Sequence, residues 1–176
     1  MACASGMSAI LLTVLTLAKA GDNVISLNTI YGGTFNLFNV TLRKYGIETR
    51  FITPDDDAET IEKLIDDKTK LVYTETIGNP SMVVLDFDVY AKVCKKYGLP
   101  FVVDNTLATP ILCRPFEHGA NIVIHSSTKY FDGHASCVGG LVVDGGNFDW
   151  ENNPRFKDFV EPDESYHGVT YTERFG

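Results

Sequence analysis

Residues 101–129 read FVVDNTLATPILCRPFEHGANIVIHSSTK, and this stretch decides the fold. Phe101-Val102-Val103 and Ile122-Val123-Ile124 are short, apolar at every position and mostly β-branched. Such runs read as strands covered on both faces, the pattern of a parallel sheet between helices. Each run delivers polar groups at its end. Asp104 comes after the first; His125, Ser126, Ser127, Thr128 and Lys129 come after the second. In open α/β sheets ligands bind beyond the carboxyl ends of the strands.

Working outward, Val24–Leu27, Glu48–Ile52 and Leu71–Thr74 read as further strands, the last running into Glu75. Between them Phe38–Tyr45, Ala58–Asp66 and Phe87–Tyr97 carry helical spacing, the last closed by Gly98 and Pro100. The alternation predicts an α/β fold with a mostly parallel sheet between helices. The chain opens at Met1–Met7 and passes directly into an apolar helix through Ile10, Val14 and Leu17, with no strand expected before it. It closes at Thr172–Gly176 in an irregular polar stretch. Both ends read as abrupt, so the expectation is part of a longer polypeptide.

At 176 residues the chain reads as one domain with a sizeable core. With 15 Lys and Arg against 23 Asp and Glu, its formal charge is −8. That balance argues against nucleic acid or an anionic membrane as partner, yet leaves room for one small anion held by backbone N–H groups. Cys3, Cys94, Cys113 and Cys137 form no C-x-x-C pair and read as reduced, in a cytoplasmic setting. The apolar run Ala9–Ala18 is too short to span a bilayer and lacks the marks of a signal peptide.

Five places carry candidate chemistry, each with a plainer reading beside it. Lys129, just after a buried strand, suits a partly desolvated amine nucleophile; a solvated loop lysine fits the same letters. The hydroxyls of Ser126 and Thr128 suit a phosphate. Asp104 suits a buried carboxylate that keeps a pyridine nitrogen protonated, or a cap on the turn through Asn105-Thr106. Ser5-Gly6-Met7 offers free N–H groups at a helix start, or an ordinary Ser N-cap. Tyr31, before Gly32-Gly33, offers a ring to stack on a flat cofactor or to assist proton transfer, or a packed loop tyrosine. Asn79, biased to extended geometry by Pro80, could donate to a phenolic oxygen, or simply form a turn.

In order, ASGMSAI (4–10), YGGTFNLF (31–38), ETIGNPSMVVLD (75–86), VVDNTLATP (102–110) and HSSTKYFDGH (125–134) resemble the successive motifs of the Cys/Met-metabolism PLP-dependent enzymes. The late stretch 148–176, with EPDESYHG at 161–168, is similar to an insert typical of the O-acetylhomoserine sulfhydrylases of that family. The resemblance implies an aspartate-aminotransferase-like large domain, fold type I, over residues 1–176. It implies pyridoxal 5'-phosphate as cofactor, with Lys129 as the Schiff-base lysine. Ser126, Thr128 and the N–H groups of Gly6 and Met7 would hold the phosphate. Asp104 would face the pyridine nitrogen, Tyr31 would stack on the ring and Asn79 would lie near its phenolic oxygen.

The implied reaction is γ-replacement on O-acetylhomoserine by sulfide, giving homocysteine and acetate. Methionine γ-lyase or cystathionine γ-synthase or γ-lyase activity is the alternative, and a catalytically inert fragment a further one. The resemblance also implies a homotetramer, an upstream segment giving a Tyr and an Arg to a neighbouring subunit's phosphate, and a small C-terminal domain whose Arg holds the substrate carboxylate. These residues contain neither segment. A nucleotide-binding α/β domain is a weaker reading, since no G-x-G-x-x-G occurs.

Overall fold

The computed structural model describes residues 1–175, which divide into two compact units, Met1–Gly146 and a second that starts at Asn147. The first is built on a seven-stranded sheet. In chain order its strands are β1 (Ala2–Cys3), β2 (Asn23–Leu27), β3 (Glu48–Ile52), β4 (Thr69–Glu75), β5 (Phe101–Asp104), β6 (Ile122–His125) and β7 (Gly140–Asp144). Across the sheet the order is β1-β7-β6-β5-β4-β2-β3. Pairings from β3 to β6 are parallel; β7 pairs antiparallel with both β6 and β1.

Every residue of β2, β5 and β6 is buried, which is what the apolar runs of β5 and β6 require when both sheet faces are covered. Helix α1 (Gly6–Leu17) buries Gly6, Ala9, Ile10, Thr13, Val14 and Leu17, one stripe at helical spacing. The segment after Tyr31 winds as α2 (Gly32–Asn36), a π-turn (Leu37–Thr41) and α3 (Leu42–Lys44). It carries Phe38 into the core, edge-on to Tyr73 at 4.9 Å. A short helix α4 spans Ala58–Glu62.

Helix α5 (Phe87–Tyr97) matches its sequence bounds. Asp86 caps its start through the N–H of Asp88, Lys95 and Lys96 sit in its last turn, and Gly98 ends it at φ +62°, a conformation that costs glycine nothing. Its inner face meets the central strands through Tyr90 and Phe87, both packed on Phe101.

The structure differs from the sequence reading at three places. A two-residue strand, β1, does precede α1; it is long enough to pair only because β7 lies beside it. β7 itself, GLVVD, is a strand that the sequence reading leaves out. The helix expected over Ala58–Asp66 stops at Glu62: Leu64 and Ile65 donate to Ile61 and Glu62 in tightened i−3 bonds, and Asp66 turns the chain by accepting from the N–H of Lys68.

In the second unit Phe148, Trp150, Phe156 and Phe159 form an aromatic cluster, with Phe156 buried. The EPDESYHG string folds into a turn held by Asp163, which accepts from Ser165 and from the Tyr171 hydroxyl of α7 (Tyr171–Phe175), after the short helix α6 (Thr109–Leu112) of the first unit. Among the described residues no helix is long and apolar enough to cross a membrane.

Candidate active site

Because β4, β5 and β6 run parallel, their carboxyl ends open on one edge of the sheet. The register aligns Glu75 with Asp104 and Asp104 with Ile124. Glu75, Asp104 and the Ser126–Lys129 segment therefore arrive side by side. Short β1 brings the start of α1 to the same edge by pairing with β7, which pairs in turn with β6. Between them lies a cavity of about 720 Å³, within the range of small-molecule and cofactor sites. Gly6, Met7, Tyr31, Asn79, Asp104, Ser126, Thr128 and Lys129, the eight residues singled out from the sequence, all line it.

At the helix end the local chemistry suits an anion. Ser5 is the N-cap: its hydroxyl accepts from the N–H of Ser8 at 3.1 Å, and its carbonyl accepts from Ala9 at 3.0 Å. The N–H groups of Gly6 and Met7 are left without a partner among the described residues, at the positive end of the helix dipole. Ser126 packs directly on this turn. A Cβ on Gly6 would lie 2.6 Å from Cβ of Ser126 and 3.0 Å from its Cα. Only glycine lets the strand end and the helix start close into one cradle. Gly6→Ala is therefore expected to cost about 1–3 kcal/mol by overpacking, since a backbone atom cannot swing aside. Thermal unfolding would read that loss, and PLP titration a weaker phosphate hold.

Asp104 anchors the opposite part of the cavity. One carboxylate oxygen accepts from both the N–H and the hydroxyl of Thr106, and the other from the Tyr73 hydroxyl at 3.3 Å. Asp104 thus does cap the turn, and it also faces the cavity. Burial pushes its pKa up, and the donors of Thr106 and Tyr73 oppose that push. Tyr73 is raised well above the ordinary tyrosine range by burial and by the negative charges of Asp104 and Glu75. Glu75 is pushed up to about 8, first by burial and then by Asp104. Near neutral pH Glu75 thus keeps its proton and adds no negative charge beside Asp104.

Two details differ from simple expectation. Lys129 is exposed and sits at non-helical φ −93°, ψ −116° inside a kinked turn, Ser127–Phe131, so the described residues do not themselves desolvate its amine. The Thr128 hydroxyl is already engaged with Gly139, donating to its carbonyl at 3.2 Å and accepting from its N–H at 3.0 Å. It has a lone pair, and no proton, left for a phosphate. Sequence reasoning also passes over residues that shape the site. Thr34 and Thr106 line the cavity, and the Thr106 hydroxyl accepts from the N–H of Ser126 at 2.8 Å. Glu75 stands in the sequence at a strand end like Asp104, and that position is the one signal that could mark it.

The residues present fit pyridoxal phosphate: a cradle with two free N–H donors for the phosphate, a buried carboxylate for the ring nitrogen, and an amine at the cavity wall. Fold and site together define a PLP-binding α/β domain of fold type I. The chain belongs to the Cys/Met metabolism PLP-dependent enzyme family, whose model matches residues 1–168. It is 45% identical over 176 residues to the O-acetyl-L-homoserine sulfhydrylase of Leptospira meyeri, covering 100% of this chain and 39% of that protein. It is 49% identical over 177 residues to the homocysteine synthase of Schizosaccharomyces pombe, covering 99% and 41%. The chain thus spans about two fifths of the length of these curated relatives. Among solved structures, a Campylobacter jejuni protein assigned as an O-acetylhomoserine (thiol)-lyase superposes with TM-score 0.96 at 38% identity, over 100% of this chain and 44% of that one. It carries N'-pyridoxyl-lysine-5'-monophosphate.

Proposed function

We propose that residues 1–176 are the cofactor-holding part, the incomplete large domain, of an enzyme that replaces the γ-acetoxy group of O-acetylhomoserine with sulfide, giving homocysteine and acetate. The observation that carries the site is the convergence of Lys129, Asp104 and the free Gly6 and Met7 N–H groups on one cavity. The relatives named for O-acetylhomoserine and homocysteine chemistry support the choice of substrate. The same reading expects an amino-acid substrate and sulfide as small-molecule partners and a homo-oligomer, a tetramer by family resemblance.

When bound, PLP supplies an electron sink for negative charge developing on the amino acid's carbons. Every other part belongs to the chain. Gly6 and Met7 N–H groups, with the Ser126 hydroxyl, would hold the phosphate, and Thr128, engaged with Gly139, fixes the Ser126–Lys129 turn. Asp104 would keep the proton on the ring nitrogen, Tyr31 would cover the ring face and Asn79 would donate to the phenolic oxygen. The amine of Lys129 would be the point of attachment and, when free, the base that takes the substrate's α-proton and handles the β-proton. The Cγ–O bond breaks with acetate leaving, and a Cγ–S bond forms with sulfide.

An activity panel on the full-length, PLP-loaded polypeptide tests this. O-acetylhomoserine plus sulfide should give homocysteine. Methanethiol from methionine, with no homocysteine from that pair, would replace the proposal with a γ-lyase; activity on cystathionine alone would replace it likewise.

A further inference from the structure

Glu75 has no part in the chemistry above, yet it is buried at 7% exposure in the cavity wall. It ends β4, in register with Asp104 on β5, so both carboxyls project from the same face of the sheet. The charge acting on it is that of Asp104, which is repulsive. A buried acid beside another acid needs hydrogen-bond donors to be tolerated. Glu75 has one from a distant loop: the N–H of Tyr31 donates to Oε1 at 2.8 Å, across 44 residues of sequence. The backbone of Asn79 lies on the same side and works against the rise of the Glu75 pKa.

Tyr31 is the loop residue assigned above to the ring face. We propose that Glu75 is a positioning residue: its buried carboxyl ties the backbone of Tyr31 to β4, and so sets where the Tyr31 ring covers the flat cofactor. This rests on reading the cavity as the PLP site. The geometry explains why the anchor is an acid beside an acid. Held at about 8 by burial and by Asp104, the carboxyl keeps its proton near neutrality, so it accepts the Tyr31 N–H without adding a negative charge beside Asp104. A loop residue fixed by its own N–H retains a free side chain, which suits Tyr31, whose ring is half exposed.

The protonated acid and glutamine have nearly the same shape and the same acceptor, whereas methionine fills the space without accepting. In the full-length polypeptide, Glu75→Met is expected to weaken PLP affinity about tenfold, by releasing the Tyr31 N–H and its loop. It should also reduce the induced circular dichroism of the cofactor's visible band, which reports how the ring is held. The apo protein's thermal midpoint should fall by about 2–4 °C, the loss of one hydrogen bond. Glu75→Gln should restore affinity and dichroism. A purely structural role would move the midpoint and leave the dichroism of the bound cofactor intact. Unchanged dichroism and affinity in Glu75→Met, or a Glu75→Gln variant as impaired as Glu75→Met, would overturn the proposal.

Native-state amide exchange on the apo proteins decides the anchor without PLP. The Tyr31 amide should be protected in the wild type and in Glu75→Gln and lose that protection in Glu75→Met; a wild-type amide without protection, or protection unchanged in Glu75→Met, overturns the anchor. The site reading fails separately, if the wild-type protein takes up PLP with no visible band while its Tyr31 amide stays protected.

Discussion

Lys129→Ala is expected to remove the visible absorption that accompanies covalent attachment of PLP and to lower kcat by about 10³-fold or more. The cavity wall carries one aliphatic amine among the described residues, that of Lys129. No neighbour can substitute for it. His134 also lines the cavity, but an imidazole is a poor replacement for a primary amine that must join an aldehyde. The variant should leave folding almost untouched, because Lys129 is exposed and surface substitutions away from special features stay within about 0.5 kcal/mol. Binding should persist in part: the Gly6 and Met7 N–H groups, Ser126 and Asp104 remain. The decisive result is therefore PLP bound without its visible band, measured by dialysis alongside absorbance, in a protein with an unchanged thermal midpoint. A Lys129→Ala variant that keeps both band and turnover would move the attachment point elsewhere.

Asp104→Asn should lower kcat by about 10²- to 10⁴-fold with only a modest change in stability. Two effects compete in stability. The amide oxygen can stay on the Thr106 donors while the N–H₂ donates to the Tyr73 hydroxyl, which accepts as well as it donates, so the exchange costs about 1 kcal/mol. Against this, the cost of burying an ionisable carboxyl beside Glu75 is removed, burial being the largest influence on Asp104. The two largely offset. Nothing offsets the catalytic loss, because a neutral amide does not keep a proton on the ring nitrogen. The same substitution removes the repulsion that helps hold Glu75 near 8, so the Glu75 midpoint should fall, and the window in which it is neutral should narrow from its alkaline side. Stopped-flow turnover, with a carboxyl-resolved titration of the apo protein, checks both parts. Full turnover in Asp104→Asn would show that the ring nitrogen does not depend on it.

Much of this site can be read from local letters because its chemistry is delivered by strand ends. A buried strand such as Ile122–His125 announces itself by being apolar over its first three positions, and the Ser126–Lys129 segment at its carboxyl end must then lie on the ligand-binding edge. The same logic reaches Asp104, and the start of α1 is visible as Ser5-Gly6 before an apolar stripe. Helix α5 is legible to the residue because Asp86 and Gly98 are chemical punctuation at its two ends. The failures share one cause. β1 and β7 carry little pattern of their own: two residues and a short GLVVD run become strands only by pairing with each other and with β6.

Glu75 looks like any acid at a strand end. Its meaning lies in a donor from Tyr31 and in an in-register neighbour on the next strand, and no short window of sequence contains both. The engagement of Thr128 with Gly139, and the cradle that only a glycine at position 6 permits, are likewise contacts between separate segments. The sequence by itself determined the parallel sheet, the edge on which the site lies and the residues that reach it, because burial on two faces and helix punctuation are local properties. Only the tertiary structure decided which of those residues are free to act and which are held. Hydrogen-bond partners, and the burial that raises the Glu75 and Asp104 carboxyls, depend on what the fold brings together.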